Sequence, residues 1–311
     1  TIDVYKFKLK PTYCLNQFMA YVAFFPQLVA GPIERATSLL PQFQRIRLFN
    51  FDFALSGFYL IIWGLFKKIV VADNCAFFVN QIFGAPSSYS SLELFCGAIL
   101  FSLQIYGDFS GYSDIAIGVA RLFGFSLMTN FTFPYFSRSI AEFWRRWHIS
   151  LSTWFRDYLY IPLGGSSKTL FLTMRNVIIV FVISGLWHGA NWTFVFWGLI
   201  HGLLFIPLLL IKRNRSYIGS LNFSVSQLPG ILTTFVLVSI SWIFFRADSL
   251  AIAFDYIKNI FEFADFSLGL FYQTSKMLLY TGIVIISTLV LIIFEYYALR
   301  KIWQLQSAVM S

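Results

Sequence analysis

Residues 176–211 contain no Asp, Glu, Lys or Arg, and an uncharged stretch of this length is unusual in a chain that folds in water. The rest of the chain agrees, because 58% of its residues are hydrophobic and 12% are charged, whereas soluble domains carry about 25% charged residues. In a bilayer the backbone must satisfy its hydrogen bonds within each segment, so long apolar runs predict α-helices. We therefore expect an all-α, polytopic integral membrane domain embedded in a lipid bilayer.

Several apolar segments are candidates for membrane helices, and some are shorter than the roughly 20 residues that cross the hydrocarbon. We expect the short ones to be tilted, re-entrant or buried among other helices. The candidates are residues 14–30, 51–72, 92–106, 176–187, 192–211, 231–245 and 277–299. No repeat or linker divides the chain, which predicts a single membrane domain over residues 1–311. Because Thr1 is preceded by no initiator Met or signal sequence, we expect further N-terminal membrane helices before it.

The formal net charge is +9, and the basic residues cluster between the apolar runs. This pattern is typical of the cytoplasmic loops of membrane proteins, and no basic run is long enough to predict nucleic-acid binding. Cys14, Cys75 and Cys96 are widely spaced and show no CxxC or Cys/His ligand pattern. The sequence therefore predicts neither a metal site nor a disulfide framework.

Residues 140–158 predict one amphipathic helix that lies at an interface or against a bundle. At about 100° per residue, the apolar side chains share one stripe, and charged side chains such as Glu142 and Arg146 occupy the opposite arc. The stripe contains Ile140, Trp144, Trp147, Leu151, Phe155 and Tyr158. His148 falls at the edge of this stripe, where on its own it is more simply explained as a buried, hydrogen-bonded imidazole.

Polar side chains interrupt an apolar region at Asp108, Ser110 and Asp114. Asp and Ser are good N-caps, so the start of a helix is one explanation. A hydrophilic wall of a pocket is another, and the sequence leaves both open.

The chain has three histidines, and His188 lies within the uncharged stretch. An ionisable side chain is costly in such surroundings and predicts a functional site. On one unbroken helix His201 would lie roughly 20 Å further along the axis, so the two histidines could share a site only if Gly185, Gly189 and Asn191 break that helix. We interpret His201 as structural.

His148 and His188 belong to different elements and could converge on one site. A neutral imidazole can accept the proton of a hydroxyl that attacks a thioester carbonyl, and burial favours the neutral form. The second imidazole could orient the acceptor or stabilise the developing oxyanion. Because the chain has no GxSxG nucleophile motif, direct acyl transfer is the simpler mechanism.

Long motifs in this chain closely resemble those of the membrane-bound O-acyltransferases, in particular the bacterial branch that includes alginate O-acetyltransferases. They are FPQLVAGPI (25–33), QIYGDFSGYSD (104–114), FWRRWHISLS (143–152), WFRDY (154–158), IPLGG (161–165), LWHG (186–189) and WIFFRADS (242–249). The resemblance implies that His188 is the catalytic histidine and that His148 occupies the place of the family's second polar residue, which is an Asn or a His. It also implies a central tunnel that admits donor and acceptor from opposite sides. The candidate substrate-binding residues are Trp187, Asn191, Asp108, Ser110, Arg145 and Trp144.

The resemblance implies an enzyme of the bacterial cytoplasmic membrane that holds no bound cofactor or metal. It would move an acetyl group from a cytoplasmic donor, expected to be acetyl-CoA, towards O-acetylation of an extracytoplasmic polysaccharide such as alginate or peptidoglycan. A separate extracytoplasmic acetyltransferase is the expected partner protein. Alternatives are D-alanyl transfer to teichoic acid, proton-coupled transport through the intramembrane histidines, and a non-catalytic scaffold. Transport would favour internal repeats with broken helices, which the sequence does not show.

Overall fold

The computed structural model describes residues 2–167, 169–219, 224–262 and 265–310. These ranges form α-helices with short 3₁₀ and π-helical turns, and they contain no β-strand. The α-helices are α1 (Ile2–Tyr5), α2 (Leu15–Val22), α3 (Ala36–Gln44), α4 (Phe51–Leu65), α5 (Asp73–Gly84), α6 (Ser91–Leu122), α7 (Ile140–Arg146), α8 (Ile149–Phe155), α9 (Leu170–His188), α10 (Trp192–Leu210), α11 (Leu228–Arg246), α12 (Leu250–Phe261) and α13 (Ser275–Met310). A π-helical segment, Phe66–Ala72, joins α4 to α5 as one continuous rod.

Within the described ranges, six helical stretches are long and apolar enough to cross a membrane. They are Phe51–Gly84, Ser91–Leu122, Leu170–His188, Trp192–Leu210, Val225–Arg246 and Ser275–Ile302. The all-α, polytopic membrane fold predicted from the sequence is therefore confirmed. The predicted membrane helix over residues 14–30 is wrong, because α2 ends at Val22 and a 3₁₀ turn containing Pro26 follows. Proline lacks the N–H that a continuing helix would need.

α6 is the central helix, and it packs against α4, α5, α11 and α12. It contains 32 residues and continues well beyond the predicted end at residue 106. The α4 and α6 backbones approach closely at glycines: a Cβ added at Gly57 would lie 2.6 Å from the carbonyl oxygen of Gly118, and one at Gly64 would lie 2.5 Å from that of Gly111. Small residues permit such close contact between membrane helices. This contact holds α6 firmly against the rod formed by α4 and α5.

α9 and α10 form a helical hairpin whose turn lies directly after His188. Asn191 is the N-cap of α10, and its side chain accepts a hydrogen bond from the backbone N–H of Thr193 at 3.1 Å. The break that the glycines and Asn191 made possible is therefore present. It leaves His188 at a helix end, facing the core, and places His201 on the following helix.

Residues 140–158 do not form one helix, so the single amphipathic helix predicted from the sequence is wrong. α7 ends at Arg146, α8 begins at Ile149, and His148 between them has a left-handed backbone with φ 44°. The helix breaks because the preceding loop takes its backbone hydrogen bonds. Thr132 donates to the carbonyl of Arg146 at 3.0 Å, and Ile149 donates to the carbonyl of Asn130 at 2.9 Å.

Glu142 and Arg146, two members of the charged arc predicted for this helix, are buried and do not face solvent. Glu142 is 1% exposed, and its Oε1 accepts hydrogen bonds from Arg138 and Arg146, each at 2.6 Å. Arg145 turns away and donates to the carbonyls of Asn214 and Ser216. α7 is therefore held in the core by ion pairs on one side and by apolar packing on the other.

Candidate active site

A cavity of about 700 Å³ lies between α6, the α7–α8 junction, the end of α9 and α11. Its volume is in the range of small-molecule binding sites. Aromatic and aliphatic side chains form most of the wall, and the segment around Gln27 and Gly31 borders it. The polar side chains on the wall are Gln27, Gln104, Asp108, Tyr112, His148 and His188. An apolar cavity with a few polar groups strengthens each electrostatic contact that a substrate makes there.

His188 reaches the cavity from the last position of α9. Its ring packs against Trp197 of α10 and Phe245 of α11, with ring centroids 5.3 and 5.2 Å apart. The described residues offer no hydrogen-bond partner to either ring nitrogen. The imidazole is therefore held by aromatic packing, and its nitrogens are available to a group in the cavity.

His148 reaches the same cavity from the α7–α8 junction. Its side chain is almost completely buried, its ring meets Phe109 edge-on at 4.6 Å, and its Nδ1 lies 3.1 Å from Oδ1 of Asn130. Burial and the neighbouring His188 ring lower the pKa of His148 to about 3. The ring is therefore neutral at physiological pH and can accept a proton or a hydrogen bond.

Two of the six residues predicted to bind substrate also border the cavity, namely Trp187 and Asp108. The Trp187 ring lies 6.4 Å from that of His148. Asp108 is in the middle of α6 and forms a 2.5 Å ion pair with Lys68. The explanation of this region as the start of a helix is therefore wrong, while Asp108 does form part of a pocket wall.

The other four predicted substrate-binding residues do not border the cavity. Ser110 accepts a hydrogen bond from Lys67 at 2.9 Å, and Asn191 caps α10 and donates to the carbonyl of Asp248. Trp144 donates its indole N–H to His201, and Arg145 donates to loop carbonyls after α10. For these four, substrate contact stays a prediction that the geometry does not support.

His201 is explained by packing and hydrogen bonding inside the core. Its side chain is fully buried, its Nδ1 accepts from the indole N–H of Trp144 at 3.2 Å, and its Nε2 lies 2.9 Å from Oγ of Ser241. Because an indole N–H can only donate, Nδ1 carries the lone pair and Nε2–H donates to Ser241. Both nitrogens are thus used within the protein, in contrast to those of His188.

The structure adds Gln104 and Asn130, to which the sequence analysis gave no role. Gln104 lies one helical turn before Asp108 on the same wall, and its buried Oε1 has no hydrogen-bond partner in the part of the chain that the structure describes. An unsatisfied buried acceptor is costly, so a donor group on a ligand would be favourable there. The pairing of Gln104 with Asp108 at i and i+4 was a signal in the sequence. Asn130 had no such signal, because its contacts join distant parts of the chain.

Among the described residues, no group of three or more His, Cys, Asp or Glu side chains is placed to hold a metal ion. The two cavity histidines are instead accompanied by aromatic rings and by amides.

Comparison with known proteins agrees with the resemblance that the motifs carry. The sequence model of the membrane-bound O-acyltransferase (MBOAT) family matches residues 6–245. The probable alginate O-acetylase AlgI of Azotobacter vinelandii is 43% identical over 268 residues, which cover 86% of this chain and 52% of that protein. The peptidoglycan O-acetyltransferase of Helicobacter pylori is 40% identical over 254 residues, 80% of this chain and 47% of that protein.

A more distant relative is the teichoic acid D-alanyltransferase of Streptococcus thermophilus, which is 30% identical over 268 residues, 75% of this chain and 62% of that protein. The chain spans about half the length of the acetylating relatives that it matches. The matched region nevertheless contains both cavity histidines and every other residue of the cavity wall. The chain therefore belongs to the membrane-bound O-acyltransferase family.

Proposed function

We propose that this chain is an O-acyltransferase that moves an acetyl group from a cytoplasmic donor, acetyl-CoA, towards O-acetylation of an extracytoplasmic polysaccharide such as alginate or peptidoglycan. One observation carries the proposal: His148 and His188, from separate elements, border the same largely apolar cavity. Two imidazoles in one largely apolar pocket suit proton transfer during acyl transfer. The aromatic wall around them limits competition by water.

The proposed reaction is a direct transfer. The acceptor hydroxyl oxygen attacks the thioester carbonyl carbon, and the hydroxyl proton passes to a ring nitrogen of His188. The C–S bond then breaks, and the proton on His188 goes to the departing thiolate. The products are an acetyl ester and a free thiol, so atoms and charge balance without a covalent enzyme intermediate or a bound cofactor.

Acetyl transfer is favoured over D-alanyl transfer by the relatives. The two named acetylating proteins are 40–43% identical to this chain, whereas the D-alanyltransferase is 30% identical. We place the protein in the bacterial cytoplasmic membrane, where a donor from the cytoplasm and an acceptor outside reach one cavity. A separate extracytoplasmic acetyltransferase is the proposed partner that completes modification of the polymer.

Replacement of His188 by Ala tests the assignment. In membranes that contain the full-length protein together with its proposed extracytoplasmic partner, transfer of radiolabelled acetyl groups from acetyl-CoA to the polymer should fall by about 100-fold or more, because general acid–base catalysis contributes about that much. The matched control is Leu186→Ala on the same helix end, where the side chain is 57% exposed and does not border the cavity. Equal protein levels in the membrane exclude a folding defect.

Retained acetylation in His188→Ala would refute the catalytic role and would favour a scaffold. A labelled D-alanyl donor that replaces acetyl-CoA as the productive substrate would show the teichoic-acid activity instead. Uptake of solute by reconstituted protein, without any acyl transfer, would show a transporter.

A further inference from the structure

Asn130 lies in the loop between α6 and α7 and is completely buried beside His148. Its side-chain Oδ1 accepts hydrogen bonds from the backbone N–H of Ser150 at 3.3 Å and from the hydroxyl of Ser150 at 2.9 Å. The same oxygen lies 3.1 Å from Nδ1 of His148. On its other side, Nδ2 donates to Oγ of Ser113 on α6 at 3.2 Å. Every polar atom of this amide thus has a partner in the protein.

These contacts determine which nitrogen of His148 carries the hydrogen. A backbone N–H can only donate, so the amide atom that faces Ser150 must be the oxygen. His148 Nδ1 faces that same oxygen, and an oxygen acceptor requires a donor opposite it. Nδ1 therefore carries the hydrogen, and in the neutral ring Nε2 has a lone pair.

Asn130 also holds the backbone on which His148 sits. Its carbonyl oxygen accepts from the N–H of Ile149 at 2.9 Å, and its side chain accepts from the next N–H, that of Ser150. His148 is the N-cap residue of α8, but its own side chain makes no capping hydrogen bond. Asn130 therefore caps α8 from outside the helix. This contact offsets part of the cost of the left-handed backbone at His148, a conformation that is unfavourable for a residue with a Cβ.

We propose that Asn130 is a positioning residue for the acyl transfer, holding His148 in the tautomer with hydrogen on Nδ1, so that Nε2 accepts a hydrogen bond from the acceptor. This inference rests on the proposed function. In the neutral ring Nε2 has no hydrogen to donate to an oxyanion. Of the two roles considered for the second histidine, which are orienting the acceptor and stabilising the oxyanion, the geometry therefore selects orientation of the acceptor. Because His188 takes the proton of the reacting hydroxyl, His148 holds a second O–H group, as a sugar supplies.

The direct test is nitrogen NMR of the full-length protein labelled with ¹⁵N-histidine in lipid bilayers. The signals that disappear in His148→Asn identify His148. In the unsubstituted protein, Nδ1 should be protonated and Nε2 unprotonated at neutral pH. A protonated Nε2 with a bare Nδ1 would overturn the proposal, and this readout does not depend on whether acetyl transfer occurs.

Substitutions then separate positioning from simple structural support. Asn130→Leu has a similar volume but no acceptor atom, so the Nε2-protonated tautomer should appear and the KM for the acyl acceptor should rise about tenfold, the equivalent of one hydrogen bond. The KM for acetyl-CoA should change much less. The carboxylate of Asn130→Asp can still accept hydrogen bonds from Nδ1 and from Ser150. This variant should therefore keep both the tautomer and the KM for the acceptor as they are in the unsubstituted protein.

If Asn130→Leu does not fold, the two more conservative variants, Asn130→Asp and Ser113→Ala, remain informative. Ser113→Ala removes the partner of Nδ2 and should leave the His148 tautomer as in the unsubstituted protein. A rise of both KM values together in Asn130→Asp, with the tautomer unchanged, would refute the acceptor-orienting role. Failure of the proposed function would appear differently, as His188→Ala membranes that still acetylate the polymer.

Discussion

Glu142 is the buried charge on which the position of α7 most depends, and its replacement by Gln should destabilise the protein strongly. Its carboxylate is contacted by Nη2 of Arg138 and Nη2 of Arg146 at 2.6 Å each, with side chains that are 2–7% exposed. It also accepts from the backbone N–H of Arg138 at 2.7 Å. Gln has the same shape, but it directs an NH₂ group at guanidinium donors and removes the negative charge.

The expected cost follows from that environment. Removal of one partner of a buried ion pair costs about 3–5 kcal/mol, because the opposite charge remains buried without compensation. For a chain of this size, roughly 2 °C of Tm corresponds to 1 kcal/mol. The Tm of Glu142→Gln should therefore fall by about 6–10 °C, measured by differential scanning fluorimetry in detergent.

The chain provides a matched control with the same i,i+4 spacing at the surface. Lys258 and Glu262 are 3.3 Å apart, with side chains 70% and 49% exposed. An exposed pair of this kind contributes about 0.5 kcal/mol or less, so Glu262→Gln should change the Tm by about 1 °C. Equal shifts in the two variants would refute the claim that burial gives the Glu142 ion pairs their weight.

Two further predictions concern the cavity. Gln104→Leu should raise the Tm slightly, because it removes a buried hydrogen-bond acceptor that has no partner. The same substitution should raise by about tenfold the KM of a substrate that donates a hydrogen bond to Oε1. Steady-state kinetics with an unchanged KM for both substrates would contradict this contact. The pKa of His148 is lowered to about 3 in the folded protein, against about 6.5 in the unfolded chain. Between these two values the unfolded chain binds a proton that the folded protein does not, so the free energy of unfolding should decline as pH falls from about 6.5 towards 3, by up to about 1.4 kcal/mol per pH unit. His148→Asn should remove this contribution to the loss of stability at low pH. Plots of Tm against pH for the two proteins that run parallel between pH 7 and 4.5 would contradict the prediction.

The sequence was a good guide where structure depends on local composition. The uncharged stretch at residues 176–211 predicted membrane helices, and it contains the end of α9 and all of α10. The same approach failed at residues 14–30, where apolar composition hid the effect of Pro26 on the backbone. It failed again at residues 140–158, where a periodic apolar stripe predicted one helix. There the backbone groups of Arg146 and Ile149 bond to a distant loop instead.

Taken alone, the sequence determined the membrane class and the helical architecture, and it predicted that His188 is a functional residue. These properties follow from transfer of each segment between water and lipid, which depends on residue type and run length. Only the tertiary structure decided that His148 and His188 share a cavity, that His201 does not, and that Asn130 faces His148. Those facts depend on contacts between separate helices and loops. The helical periodicity of one segment contains no information about such contacts.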